Sequence, residues 1–195
     1  GEAMEAWTNG IKEVLEPTLV LLLAWALGTV IQEVGTAEFI ARSLQTGLPA
    51  WSLPGLISLI CYVISFACGS SFGTMGIVFP LVGPLAFAVG KGDPTYLYRC
   101  LGATMGGSLF GNMCSPISDT TILTTLATRC GLAEHVRTII PYTALAGAVA
   151  LVCGDLAVGL GLCSAGGGIV LCTLTLLALK LLLGRVSTST RASGR

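Results

Sequence analysis

The sequence predicts an all-α, polytopic integral membrane protein with about five to seven membrane segments, some of them broken helices or re-entrant hairpins. Hydrophobic residues make up 53% of the 195-residue chain and charged ones 10%, whereas about a quarter of a soluble domain is charged. The charges are also bunched: none falls between Arg42 and Lys91, and none from Leu156 to Leu179. Roughly 20 apolar residues cross a bilayer core, so the first gap has room for two crossings and the second for one. Clusters of Gly, Pro, Ser and Thr punctuate the apolar runs and predict the breaks.

In chain order, Glu16-Pro17 opens a first span that reaches about Gln32, proline being tolerated in a first helical turn. Ala37 to Gln45, with Glu38 and Arg42 at i, i+4 spacing, reads as an amphipathic piece at the interface. Trp51 marks a membrane surface. A second span, Leu53 to Cys68, runs into "GSSFGTMG", Gly69 to Gly76. Each glycine there costs a helix about 1 kcal/mol relative to alanine, and the hydroxyls offer hydrogen bonds to backbone that leaves the helix. With Pro80 and Pro84 just beyond, the region predicts an interrupted hairpin and not one clean helix.

After the charged link "KGDPTYLYR", Cys100 to Phe110 predicts a span with small-xxx-small spacing at Gly102/Gly106 and at Gly107/Gly111, which lets a neighbouring helix come close in lipid. A second polar break follows in "FGNMCSPISDTTILTT", Phe110 to Thr125. "RCGLAEHVR" reads as a polar loop, "TIIPYTALAGAVALVCG" as a span, and Ile169 to Leu183 as the last span. Residues 1–184 are expected to form one transmembrane domain, and 185–195 a disordered basic tail. The chain opens on Gly1, with Met4 followed by acidic Glu5; no signal peptide is expected, and the chain reads as a fragment of something longer.

Zero net charge argues against a nucleic-acid partner; the expected partner is the lipid bilayer. There is no Walker-type loop for ATP. No Ser/His or paired-carboxylate constellation suggests an enzyme, and no cofactor is expected. The eight cysteines lack CxxC spacing and read mostly as small buried hydrophobes.

Non-helical backbone survives at membrane depth only when buried in protein or lining a wet cavity, so the two breaks imply a polar cavity. Asp119 is its carboxylate, and an ionisable group inside the membrane marks an ion path or proton relay. Ser115, Ser118, Thr120 and Thr121, with freed carbonyls, supply the oxygen ligands a hard cation such as Na+ needs. Proton and cation can then compete for one carboxylate, which is the logic of an antiporter. "SDTT" is equally a helix N-terminus, with Ser118 or Asp119 as cap, and both roles fit one broken helix. Ser70, Ser71 and Thr74 read either as local caps or as ion ligands. Asp155 reads either as helix-terminal, the favoured position, or as facing the bundle; His135 reads as a loop residue and Glu33 as a membrane-surface charge.

"GSSFGTMGIVFPLVGPLA", "LFGNMCSPISDTTILTT" and "EHVRTIIPYTAL" together resemble the NhaC-type Na+/H+ antiporter family of the ion transporter superfamily. The resemblance covers about Gly69 to Leu145 and implies inverted repeats, broken helices and cation-coupled exchange. It also implies that the chain corresponds to the C-terminal half of a larger transporter, with the missing N-terminal half or a second chain as partner. Family sequences commonly have an acidic residue and often a histidine where this chain has Asn112 and Met113. Asn112 can ligate a cation through its carbonyl but cannot carry a proton.

The expected function is therefore secondary transport, Na+ exchanged for H+, with Asp119 as the Na+- and proton-binding carboxylate. Ser115, Ser118, Thr120, Thr121, Asn112, Ser70, Ser71 and Thr74 would line the site. Alternatives are Na+- or H+-coupled exchange of small organic anions such as malate and lactate, a passive channel, and an inactive or structural membrane fragment.

Overall fold

The structure, a computed structural model, describes residues 1–34 and 49–183. The amphipathic piece expected at Ala37 to Gln45 and the tail expected at 185–195 lie outside them. Among the described residues the regular structure is entirely helical: α1 (Glu2–Glu33), α2 (Leu53–Cys68), α3 (Ser71–Val89), α4 (Pro94–Cys114), α5 (Asp119–Thr128), α6 (Leu132–Val149) and α7 (Ala165–Leu183). A single 3-10 turn, Ala50–Ser52, leads into α2. Past Val149, α6 continues through a π-helical stretch, Ala150–Leu156, and ends at Gly159. Four of these rods are long and apolar enough to cross a membrane: Ala50–Cys68, Ser71–Val89, Leu132–Gly159 and Ala165–Leu182. The chain is an integral membrane protein.

Three expectations need correction. The region Gly69–Gly90 is not an interrupted hairpin, because α3 runs unbroken for 19 residues with Pro80 and Pro84 inside it. Each proline removes one N–H, and transmembrane helices tolerate this because neighbouring groups re-satisfy the freed carbonyl. The first break is correspondingly short, since Ser70 caps α3 by accepting a bond from the Gly73 N–H at 3.2 Å. "RCGLAEHVR" is not a loop throughout: α6 begins at Leu132 and includes His135. Asp155 is not at a helix end but within the π stretch of the α6 rod.

The core is built from α2, α3 and α4. Leu53, Ile57, Cys61, Val78, Val82, Leu85, Ala86, Cys100 and Ala103 form its apolar cluster. The tightest packing is that of α2 on α4, where the small residues Ala103, Gly107 and Gly111 form a seam at i, i+4, i+8. A Cβ on Gly107 would lie 2.7 Å from that of Cys61, and one on Gly111 only 1.9 Å from the Ser65 carbonyl carbon. Met105, Leu109 and Met113, on the other side of α4, are exposed. Small residues inside and large apolar ones outside is the pattern expected where lipid is the solvent and backbone approach gives the packing. Gly102 and Gly106, the other pair with this spacing, have nothing within 4 Å.

Hydroxyls cross-link the seam. Ser65 Oγ accepts from the Gly111 N–H at 2.9 Å and lies 3.4 Å from the Gly107 carbonyl, so one side chain of α2 enters the backbone ladder of α4. Within α4, Thr104 and Ser108 bond back to the carbonyls of Cys100 and Thr104 at 3.0 and 2.6 Å. α6 joins through Tyr62, whose hydroxyl donates to the Gly147 carbonyl at 3.0 Å while its ring packs 4.6 Å from that of Phe110. α7 packs against α6 and its π stretch, with Leu181 and Leu182 exposed.

Gly111→Ala forces α2 and α4 apart and is expected to cost at least the 1–3 kcal/mol typical of overpacking. Gly102→Ala adds a methyl to open space in a helix and is expected to be neutral or slightly stabilising. Thermal unfolding of the two variants in detergent, followed by circular dichroism, checks the contrast; equal midpoints would refute the seam.

Candidate functional site

α2 and α4 each stop inside the bundle, and each is followed after a short link by a new helix. Gly69 ends α2 in the left-handed conformation, φ 67°, with its N–H bonded to Ser65 O. Ser70 is extended and opens α3. Ser115, also extended, ends α4, and Ser115-Pro116-Ile117-Ser118 leads to α5. With ten residues, α5 is about 15 Å long at 1.5 Å per residue, half of the roughly 30 Å hydrocarbon core.

The two breaks touch. A Cβ on Gly69 would lie 2.8 Å from the Ile117 side chain and 3.0 Å from the Ser118 backbone nitrogen. Ser115 Oγ donates to the Phe66 carbonyl at 2.8 Å, tying the second break to the last turn of α2. Two carbonyl ends, of α2 and α4, thus meet two N–H ends, of α3 and α5, which places partial negative and positive charge side by side in one pocket of backbone.

Within this junction a polar knot forms. Ser118 Oγ lies 2.8 Å from the Asn112 carbonyl, 3.1 Å from Asn112 Oδ1 and 2.8 Å from Thr120 Oγ1, and Thr120 Oγ1 donates to the same Asn112 carbonyl at 2.7 Å. Ser118 occupies the cap position of α5 but makes no capping bond, because its hydroxyl is turned to Asn112. Asp119 Oδ1 accepts instead from the Thr120 N–H at 2.8 Å. Ser115, Ser118 and Thr121 are buried and Asn112 half-buried, whereas Asp119 and Thr120 are exposed on the surface of this chain. The Thr121 hydroxyl is buried with no hydrogen-bond partner among the described residues.

In the first break, Ser71 and Thr74 are buried and Ser70 half-buried. Thr74 Oγ1 donates to the Ser70 carbonyl at 2.8 Å, so Ser70 and Thr74 bond to each other and not to the second break. Among the described residues no three His, Cys, Asp or Glu side chains gather as a metal site; the oxygens of the junction are hydroxyls and carbonyls. All eight cysteines are free thiols, of which Cys61, Cys100 and Cys114 are buried.

The sequence reading missed Ser58, Ser65, Thr104 and Ser108, all buried, and misplaced Asp155, which accepts a hydrogen bond from Ser58. A signal was present: Ser58 and Ser65, seven apart, share one face of α2, and Thr104 and Ser108, four apart, share one face of α4.

The profile of the Na+/H+ antiporter family matches residues 1–159. The chain belongs to that family. An uncharacterized protein of Haemophilus influenzae is 32% identical over 143 residues, 73% of this chain and 27% of that protein. The malate-2H(+)/Na(+)-lactate antiporter of Bacillus subtilis is 31% identical over 140 residues, 71% of this chain and 29% of its own length. The Na(+)/H(+) antiporter NhaC of Alkalihalophilus pseudofirmus is 30% identical over 133 residues, covering 68% of this chain and 28% of that one. This member of the Na+/H+ antiporter family therefore spans less than a third of the curated relatives it matches. No solved structure matches it.

Gly69→Ala puts a side chain both into a left-handed backbone, at about 1–2 kcal/mol, and against Ile117. The variant is expected to unfold at lower temperature than wild type, and hydrogen exchange is expected to speed up at Ser70 and Ser118 together. Faster exchange at Ser70 alone would mean that the breaks are not coupled.

Proposed function

We propose that the chain is the part of a secondary transporter that carries its broken-helix site, exchanging Na+ for H+ at the junction of the two breaks. The observation that carries this reading is the Gly69 contact with Ile117 and Ser118, which brings four helix ends together beside Asp119. Broken helices of this kind hold substrates in transporters, unwound carbonyls taking the cation and N–H ends facing anionic groups. Family membership and the antiporter names of relatives support exchange over catalysis.

In this reading Asp119 is the carboxylate at which Na+ and H+ compete. Asn112, Ser115, Ser118, Thr120 and Thr121 offer neutral oxygens, with Ser70, Ser71 and Thr74 across the junction. The exposed side of Asp119 and Thr120 faces the remainder of the transporter, an N-terminal half or a second chain, which closes the cavity and makes the carboxylate a buried one. The resemblance implies an acid at the position of Asn112, which in this reading offers an oxygen ligand but no exchangeable proton of its own. Residues 1–184 form the transporter domain.

A second reading has an observation of its own. Two helix N-termini, of α3 and α5, point into the junction, and N-termini bind carboxylates. Exchange of small organic anions, as named for the Bacillus subtilis relative, would use them.

Proteoliposomes containing the chain and loaded with a pH dye test both readings. Adding Na+ outside is expected to drive proton movement that Asp119→Asn reduces to background; a response to malate or lactate but not to Na+ alone would select the second reading. Thr121→Val removes the buried hydroxyl that has no partner among the described residues. It is expected to weaken Na+ binding roughly tenfold, the loss of one neutral oxygen ligand worth about 1.4 kcal/mol, while leaving the unfolding temperature unchanged or slightly higher. Unaltered Na+ affinity would take Thr121 out of the site.

A further inference from the structure

Asp155 is the only Asp, Glu, Lys or Arg from Thr138 to Leu179. It stands on the π stretch of α6, the kind of helix irregularity that is rare and frequent at functional sites. The π turn brings its carboxylate to α2, where Ser58 donates to Oδ2. Ser58 is buried and has a second acceptor, the Ala103 carbonyl of α4, at 3.3 Å. Asp155 thus sits where three helices meet, 97 residues from its partner in sequence.

Among the described residues it forms no ion pair; the cation of Arg99 acts on its neighbour Cys100. The titratable groups near it are Tyr62 of α2, Cys100 of α4 and Cys172 of α7, none of them positively charged in any state. The Tyr62 hydroxyl is committed to the Gly147 carbonyl. Apolar side chains close the neighbourhood: Leu156 and Leu151 reach the Gly55 backbone, where an added Cβ would lie 2.9 Å from Leu156 Cδ2. Ionisable groups inside membrane bundles face the interior and mark ion pathways or proton relays by default. A carboxylate with a neutral hydroxyl partner and no counter-ion has the ligand set for a proton, not for a metal ion, which needs several oxygens.

We propose that Asp155, held on the π turn of α6 and hydrogen-bonded to Ser58, is a proton-binding site of the transporter, separate from the cation site at the two breaks. The role rests on the antiport reading above. Ser58 lies 11 residues before Gly69 on α2, about 16 Å along the helix, so the two sites are half a membrane apart. The Ser58 hydroxyl has one proton. With Asp155 ionised it donates to the carboxylate; with Asp155 protonated, the carboxylic acid donates to Ser58 Oγ and the hydroxyl turns to the Ala103 carbonyl. Taking up a proton at Asp155 therefore reverses the direction of the α2–α6 bond and frees the Ser58 proton for a second bond along the α2–α4 seam.

Infrared titration of the chain in lipid bilayers tests the site without requiring transport. The expected result is a carboxylic C=O band that grows as pH falls, is absent in Asp155→Asn, is retained in Asp119→Asn and is shifted in frequency in Ser58→Ala. A spectrum unaltered by Asp155→Asn at every pH would overturn the proposal; if that variant fails to fold, an unshifted band in folded Ser58→Ala would do the same. In proteoliposomes, Asp155→Asn is expected to flatten the pH profile of exchange while a Na+ response remains, whereas Asp119→Asn removes the response at all pH values. A wild type that exchanges nothing sinks the antiport reading alone, because the infrared band still decides on Asp155; an unchanged pH profile in an active Asp155→Asn protein sinks the coupling role.

Discussion

Backbone polar groups cannot be left unpaired in hydrocarbon, and most of this architecture follows from that constraint. Each N–H or C=O without a partner costs several kcal/mol where no water can reach it, so every place at which a helix stops inside the bundle has to be repaired locally. Hydroxyls do the repair. Among the described residues every buried polar one is Ser or Thr, and several of them bond to carbonyls or N–H groups at helix ends or in the facing helix. Ser70 closes the start of α3, Ser115 covers a carbonyl at the end of α2, and Ser118 and Thr120 share the Asn112 carbonyl. Small residues complete the arrangement, because these short side chains reach a second helix only where a glycine lets its backbone approach.

The same repair creates chemistry. Two breaks that had to be covered were brought against each other, and the result is a concentration of oxygens and helix-end dipoles in an otherwise apolar body. In the proposed exchange, hydroxyls and carbonyls of this kind would replace a hydration shell and Asp119 would supply the charge that selects cations. The left-over Thr121 hydroxyl is the telling exception, since an unpaired buried group costs free energy unless something binds it.

Much of this was legible in the sequence, for physical reasons. Apolar run lengths report bilayer thickness, so the span of α2 could be read to the residue, whereas α7 begins one turn before the expected Ile169, its opening glycines being poor helix formers; the polar strings marked both breaks. The prolines of α3 misled, because in water-soluble helices they break structure, whereas a bilayer gives the backbone no better alternative than to stay helical. Asp155 was misjudged for a related reason: glycines on either side suggested a helix end, but a π turn has no local sequence signature. Which of two glycine pairs packs also could not be read, since Gly102/Gly106 and Gly107/Gly111 differ only in what faces them. That Gly69 touches Ile117 is a long-range fact to which no spacing rule gives access.

The insertion of Ser65 between Gly107 and Gly111 has a mechanical corollary. Sliding α2 along α4 by a single residue would drive Cβ atoms into backbone and pull the hydroxyl from its slot, so the two helices behave as one stiff strut with both breaks bolted to its end. Under the proposed exchange, a change of access between the two sides of the membrane would leave this strut intact and carry it as a block, with the give located at the looser contacts of α6 and α7.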